Sequence, residues 1–243
     1  MISLITCSYN NRSTIQDTLS SAAAQSGDFE YLVIDGVSTD GSLDQIRASA
    51  TVSRLISEKD KGLYDALNKG VANAGGDIIG FLHADDVFAS AEVIRKVQQA
   101  FEVTGADAVY GDLNYVSSDL KNIVRKWKSG NPGNFVSGWM PPHPALFVKK
   151  EVFDRVGGFR LDLGSAADYE WMLRAIHINK IRLAYIPEVL VNMRVGGMSN
   201  ADLNARKKAW HFDLMAWEVN GLGRNYAAVM LKKLRKLPQY ILR

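Results

Sequence analysis

Residues 78–86 read Ile78-Ile-Gly-Phe-Leu-His83-Ala-Asp85-Asp86. A short apolar run between Gly75-Gly76 and two carboxylates reads as a strand buried on both faces that opens into a polar loop. The segments around it supply its partners. Leu63, Ala66, Leu67, Val71 and Ala74 recur at helical spacing, so Leu63 to Ala74 is expected as a helix closed by the two glycines. Moving upstream, Arg54-Leu-Ile56 reads as a strand, Ser42 to Ala50 as a helix, and Tyr31-Leu-Val-Ile34 as a buried strand. Thr14 to Ala24 reads as a helix, and Ile2-Ser-Leu-Ile-Thr-Cys7 as the first strand. Downstream, Ala91 to Val103 reads as a helix and Ala108-Val-Tyr110 as a strand. This strand–helix alternation predicts an α/β fold on a parallel sheet with helices on both faces.

The second half is less regular. Tyr115 to Trp127 reads as a hairpin and Ser129 to Pro142 as a loop. Ala145 to Val148 reads as a strand and Ala166 to Ile178 as a helix. Leu183 to Ile186 and Val189 to Val195 are two strand candidates separated by Pro187-Glu188. Two helices, near Leu203 to Val219 and Arg224 to Leu237, end the chain. The 243 residues, 47% hydrophobic and 23% charged, suit one globular α/β domain. The single cysteine, Cys7, rules out an intramolecular disulfide and fits a reducing compartment. The N-terminus lacks the pattern of a secretory signal, and no apolar run approaches the roughly 18 residues of a membrane span. A cytoplasmic protein, peripheral to membranes at most, is expected.

Ligands of open α/β sheets bind beyond the carboxyl ends of the strands. Those ends carry Ser8-Tyr9-Asn10, Asp35-Gly36, Glu58-Lys-Asp60 and Asp85-Asp86. Carboxylates gathered at one edge repel unless a cation or hydrogen-bond donors balance them. Mg²⁺ or Mn²⁺ bridging a diphosphate is one natural partner, because both favour oxygen ligands. Each acidic residue also has a plainer role: a turn at Asp35, a helix-dipole contact at Asp60, a cap at Asp85-Asp86. The chain has no GxGxxG after the first strand, no P-loop, no nucleophile elbow and no clustered zinc ligands.

Several segments in order resemble the inverting family 2 glycosyltransferases. They are Thr6-Cys-Ser-Tyr-Asn-Asn11, Val33-Ile-Asp-Gly-Val-Ser-Thr-Asp-Gly-Ser42, Ser57-Glu-Lys-Asp-Lys-Gly-Leu-Tyr-Asp-Ala-Leu-Asn-Lys-Gly70, Gly80-Phe-Leu-His-Ala-Asp-Asp86, Ala167-Asp-Tyr-Glu-Trp-Met-Leu-Arg174 and Gly196-Gly-Met-Ser199. The resemblance spans about residues 1–200. It implies the GT-A fold, a Rossmann-like nucleotide-binding half with a mostly parallel sheet (1–112) fused to an acceptor-binding half (113–200), followed by basic helices (201–243). It assigns Thr6, Ser8, Tyr9, Asp35, Asp60, Gly62 and Asp85 to the nucleotide, and Asp86 to a Mn²⁺ or Mg²⁺ ion. Asp65, Asn68 and Lys69 fall near donor phosphate or sugar. The chain departs from the family pattern at Val37, at His83 and in Gly196–Ser199, which lacks a histidine.

The implied chemistry is transfer of a hexosyl group from a nucleotide sugar, UDP-linked by preference, to a sugar or lipid-linked acceptor in surface polysaccharide assembly. A hydroxyl attacks the anomeric carbon and a carboxylate takes its proton. Asp168 matches the family's base, with Glu170 as runner-up, and Trp139 and His143 are acceptor-side candidates. For Asp168 the alternative is a capping box with Ser165. A sugar nucleotidyltransferase, or a non-catalytic nucleotide-sugar binder of the same fold, is the alternative function. The former lacks its Gly-rich Arg loop, and the latter has no use for a base.

Charge is uneven. Residues 206–243 carry nine Lys/Arg against Asp213 and Glu218, net +7, leaving −4 elsewhere. Tyr226, Met230 and Leu234 share one face of the last helix. Two readings stay open: a basic amphipathic helix on an anionic membrane, or a helix whose apolar face packs on the core. No nucleic-acid motif accompanies the charge, so no nucleic-acid partner is expected. Oligomeric state leaves no signal.

Overall fold

The structure, a computed structural model, describes residues 1–196 and 203–240, so most of the Gly196–Ser199 motif lies outside the described residues, as does Arg243. The chain begins β1 (Ile2–Ser8), α1 (Ile15–Ala23), β2 (Phe29–Asp35), α2 (Ser42–Ala48), β3 (Arg54–Ser57), α3 (Leu63–Asn73) and β4 (Ile78–Phe81). It continues with β5 (Val87–Phe88), α4 (Val93–Thr104), β6 (Ala108–Val116), β7 (Ile123–Trp127), β8 (Leu146–Lys149) and α5 (Lys150–Val156). Then come α6 (Ala167–Met172), widening into π turns over Leu173–Ile178, β9 (Leu183–Arg194), α7 (Leu203–Glu218) and α8 (Tyr226–Leu234).

One sheet runs β3-β2-β1-β4-β8-β6-β9-β5, with β7 added on β6. The first four strands are parallel, so their carboxyl ends meet at one edge. Ser8 lies opposite Asp35, and Asp35 opposite Ser57. β8 then pairs antiparallel with both β4 and β6 and carries the sheet into the second half without a break. β1 is buried along its whole length and alternates its side chains between two cores. Ile2 and Leu4 join Ile15 and Leu19 of α1 on one face, and Ile5 and Cys7 join Leu67 and Val71 of α3 on the other. Gly80 permits the β4–β8 crossing, because any side chain there would collide with the Phe147 ring.

The sequence-derived elements of the first half are all present, with ends shifted by a few residues. In the second half, the two strands expected around Pro187-Glu188 are one strand, β9. Its register against β6 moves from Tyr110 opposite Tyr185 to Asp112 opposite Val189. The extra residues form a bulge, where a proline without an N–H can sit inside a sheet. The short helix α5 follows β8 at once and was not anticipated; only Val152 and Phe153 of it are buried, too few for a periodic signal. Among the described residues no helix is long and apolar enough to cross a membrane.

Candidate active site

The parallel edge holds two groups of side chains. The first gathers at the ends of β1, β2 and β3. Asp35 is fully buried and accepts hydrogen bonds from Ser38 N (3.0 Å), Ser38 Oγ (2.5 Å) and Ser57 Oγ (2.7 Å). It therefore pins the β2 loop to β3. Asn10 ties that loop to the one after β1: its N–H donates to Ser38 Oγ (2.9 Å), and its Oδ1 accepts from Thr39 N (2.9 Å). Val37 sits at φ 65°, a strained setting for a β-branched residue that these bonds hold in place. Above them Asp60 approaches Gly36 so closely that a Cβ there would lie 2.8 Å from Asp60 Oδ2 and 3.1 Å from the Tyr9 ring. Gly36 thus keeps a slot open between an exposed aromatic ring and a carboxylate. Asp60 accepts from Gly62 N (2.8 Å), and Gly62 has open space around it at φ 114°. Lys69 Nζ donates to Lys59 O (2.7 Å) and pairs with Glu58 (3.0 Å), which fixes the loop carrying Asp60. Asp65 takes Lys61 N (2.9 Å) on the same turn.

The second group surrounds the end of β4. Asp86 is 1% exposed; Oδ1 accepts from Arg194 N (3.1 Å), and Oδ2 is buried with no partner among the described residues. Burial, with Asp85 beside it, pushes the Asp86 carboxyl well above the ordinary carboxylate range. Asp85 is half-buried, and among the described residues no hydrogen bond holds its carboxylate. His83 stands next to it, 5.8 Å ring to ring from His143, which stacks on Phe81 at 5.3 Å. Burial lowers both imidazoles, His143 to about 4. The Asp168 carboxylate opposes that shift in both, which places it at the same pocket. Tyr64 OH donates to Asp168 Oδ1 at 3.3 Å, and Tyr169 N donates to the same oxygen at 2.8 Å. No Ser165 capping box forms: the N-cap of α6 is Ala166, without a side-chain bond.

Four of the sequence-based candidates have side chains engaged within the protein. Thr6 is fully buried, and its hydroxyl joins Tyr31 OH (2.9 Å) and Leu82 O (2.6 Å), so its side chain links strands and does not line the cleft. Asn68 makes two 2.8 Å bonds to the backbone of Phe159 and braces α3 against the second half. Glu170 is buried and held by Arg174 (2.8 and 3.0 Å) and Asn220 (3.1 Å), an ion pair that stabilises its charged form and turns it away from solvent. Trp139 is buried beside Tyr110 and Phe135 and donates to Ser129 O (3.0 Å), a core contact. Ser8, by contrast, sits at the cleft edge with a buried hydroxyl unpartnered among the described residues.

The sequence reading passed over Ser38, Tyr64 and Arg194. Arg194 pairs with Asp17 while its Nε and Nη1 stay buried without partners among the described residues. An arginine inside the apolar stretch Val189 to Val195 was the available signal for it.

Residues 3–164 match the glycosyl transferase family 2 domain. This chain belongs to glycosyltransferase family 2. The family 2 chain is 33% identical over 186 residues to an uncharacterised glycosyltransferase of Mycobacterium tuberculosis, covering 72% of this chain and 68% of that one. It is 31% identical to a PGL/p-HBAD biosynthesis glycosyltransferase of Mycobacterium bovis, over 82% and 79% of the two chains. Among solved structures it superposes on the Pyrobaculum calidifontis mannosyltransferase PcManGT in complex with GDP-Man and Mn²⁺, with TM-score 0.68 and 19% identity over 99% of this chain and 72% of that one. It also superposes on Staphylococcus aureus TarS in complex with UDP-GlcNAc, with TM-score 0.66 and 17% identity over 99% and 78%. The glycosyltransferase thus has the GT-A architecture, a mixed α/β sheet with helices at its C-terminal end.

Proposed function

We propose that this glycosyltransferase moves a hexosyl group, with inversion, from a nucleoside-diphosphate sugar to a hydroxyl of a sugar or lipid-linked acceptor in surface polysaccharide synthesis. The carrying observation is the half-buried Asp168 carboxylate, which accepts from the Tyr64 hydroxyl of α3 and acts on both imidazoles of the His83–His143 pair. Tyr9 offers a face for the base, and Asp60 accepts from its N–H or the ribose hydroxyls. Asp35 acts through the loop it pins. A UDP-sugar is favoured; TarS was solved with UDP-GlcNAc, whereas PcManGT was solved with GDP-Man.

In the step itself, the acceptor oxygen bonds to the anomeric carbon as the bond from that carbon to the phosphate oxygen breaks. The hydroxyl proton passes to Asp168, and the nucleoside diphosphate leaves with the electron pair. The residues fit a divalent cation. Among the described residues no cluster of three metal-ligating side chains occurs. Mg²⁺-type ions need only one or two carboxylates besides phosphate and water. The buried, unpartnered Asp86 Oδ2 and the unengaged Asp85 supply that pair. A Mn²⁺ or Mg²⁺ ion bound there would neutralise charge on the departing diphosphate.

A thermal-shift series with UDP, GDP and dTDP, each with and without Mn²⁺, tests the donor assignment. UDP should stabilise the wild type more with Mn²⁺ than without, and Asp86→Asn should abolish the difference. A Mn²⁺-dependent difference that persists in the variant would remove Asp86 from the ion site.

The acceptor's setting is an anionic membrane, at the cytoplasmic face. α8 buries Ala228, Val229 and Lys232, while Tyr226, Met230, Leu234 and Leu237 stand 55%, 52%, 48% and 57% exposed. α8 thus packs on the core through its small residues, and the longer apolar side chains face outward. They lie among Arg224, Lys233 and Arg235, the composition that suits an anionic bilayer surface.

A further inference from the structure

Beneath α8, on the acceptor side, lies a cavity of about 200 Å³ lined by Trp127, Lys128, Trp139, Lys232, Arg235 and Lys236. Four cations are among its lining residues. Lys232 is accounted for: its Nζ pairs with Asp213 Oδ1 at 2.7 Å and lies 3.6 Å from the centre of the Tyr169 ring. Arg235 donates to Ser137 O at 2.8 Å. Lys128 and Lys236 have no carboxylate partner among the described residues, and Lys236 Nζ stands 5.8 Å from the Trp127 ring centre. Burial first, then repulsion from Lys232, lowers the Lys236 ammonium to about 8, with Arg125 adding to the effect. Among the described residues Asp213 is the one carboxylate ion-paired with these cations, and the charges of Asp213 and Asp168 oppose the lowering at Lys236. Lys128 and Arg235 are exposed, so the cost of the excess positive charge falls on the half-buried Lys236, and an entering anion would offset it.

The cavity lies near the reaction centre: Lys232 rests on the ring of Tyr169, the neighbour of Asp168, and the Asp168 charge acts on the Lys236 ammonium. We propose that this cavity is an anion subsite for the acceptor, in which Lys128, Arg235 and Lys236 hold a phosphate ester carried by the molecule that receives the sugar. The proposal rests on the transfer reaction above and specifies its acceptor class. A phosphate is favoured over a carboxylate because the cations approach from two separate elements, the end of β7 and α8. A phosphate group offers several oxygens in different directions, whereas a carboxylate presents one plane. The half-buried Trp127 ring suits the uncharged part next to the phosphate. The outward apolar face of α8 would keep a lipid-linked phosphate at this height above a bilayer.

The test reads lysine acylation of the full chain by mass spectrometry at neutral pH, with UDP present to fill the donor site. Lys236 should label readily, and inorganic pyrophosphate or a short-chain prenyl phosphate should protect both it and Lys128. Protection by phosphatidylglycerol vesicles alone would assign the cavity to a lipid headgroup and overturn the acceptor subsite. Absence of protection by every probe would overturn it as well. Lys236→Gln and Lys128→Gln should each raise KM for a phosphate-bearing acceptor by ~10-fold or more while leaving KM for the donor unchanged. An equal effect on acceptors with and without phosphate would also overturn it. The labelling needs no turnover, so a failure of the transfer reaction leaves its outcome readable.

Discussion

Asp168 and Glu170 lie two positions apart on one short helix but are held differently. Glu170 is ion-paired to Arg174 and bonded by Asn220, whereas Asp168 has one oxygen bonded and no cation partner among the described residues. Asp168→Asn should therefore lower turnover by ~10²–10⁴-fold. UDP affinity, measured by titration, should hold; a variant with near-wild-type transfer would place the base elsewhere. His143 carries a separate consequence. The fold lowers its pKa from 6.5 to about 4, so the unfolded chain binds more protons between those values. Its contribution to stability is complete above about pH 6.5 and is lost as pH falls toward 4, by roughly 3 kcal/mol at most. Phenylalanine can keep the ring contacts with Phe81 and Phe159 without titrating. Urea unfolding of His143→Phe should accordingly show a flatter decline over that interval than the wild type.

α8 is the element whose role its periodicity left open. Ala228 and Val229 are fully buried and Lys232 is ion-paired, so deleting the helix would open the core. Point changes separate the two surfaces. Met230→Ser with Leu234→Ser should reduce binding to anionic vesicles in a sedimentation assay while leaving the melting temperature within a degree or two, since surface substitutions usually change stability by about 0.5 kcal/mol or less. Unchanged vesicle binding would detach α8 from the membrane. α3 shows the converse case: Lys69 and Asp65, which the family resemblance brought close to the donor, hold the turn that presents Asp60. Their influence on the nucleotide passes through backbone position.

At the scale of the molecule, β8 joins the first half of the chain to the second within one sheet, and Asn68 fastens α3 to Phe159 across them. Ligand binding to one half should then stabilise both. UDP with Mn²⁺ at 100 times its dissociation constant should add about 2.7 kcal/mol and move a single calorimetric transition. Two transitions, with one unmoved, would show the halves to be independent.

The first half of the fold was legible because each strand is a short run of apolar residues and each helix an unbroken 3.6-residue pattern, both local signals. The acidic loop residues were legible for the same reason, since a strand's carboxyl end is known once the strand is. What the chain order could not supply was the partner of each polar side chain. Asn68, Glu170 and Thr6 look as available as Asp60 and Asp168 until residues up to 91 positions away in sequence occupy them. Nor does an apolar stripe say which side of a helix the rest of the protein covers. On α8 the small residues and a lysine face inward because Asp213 and the Tyr169 ring wait there, and that long-range charge pairing, not periodicity, turns the larger apolar side chains outward.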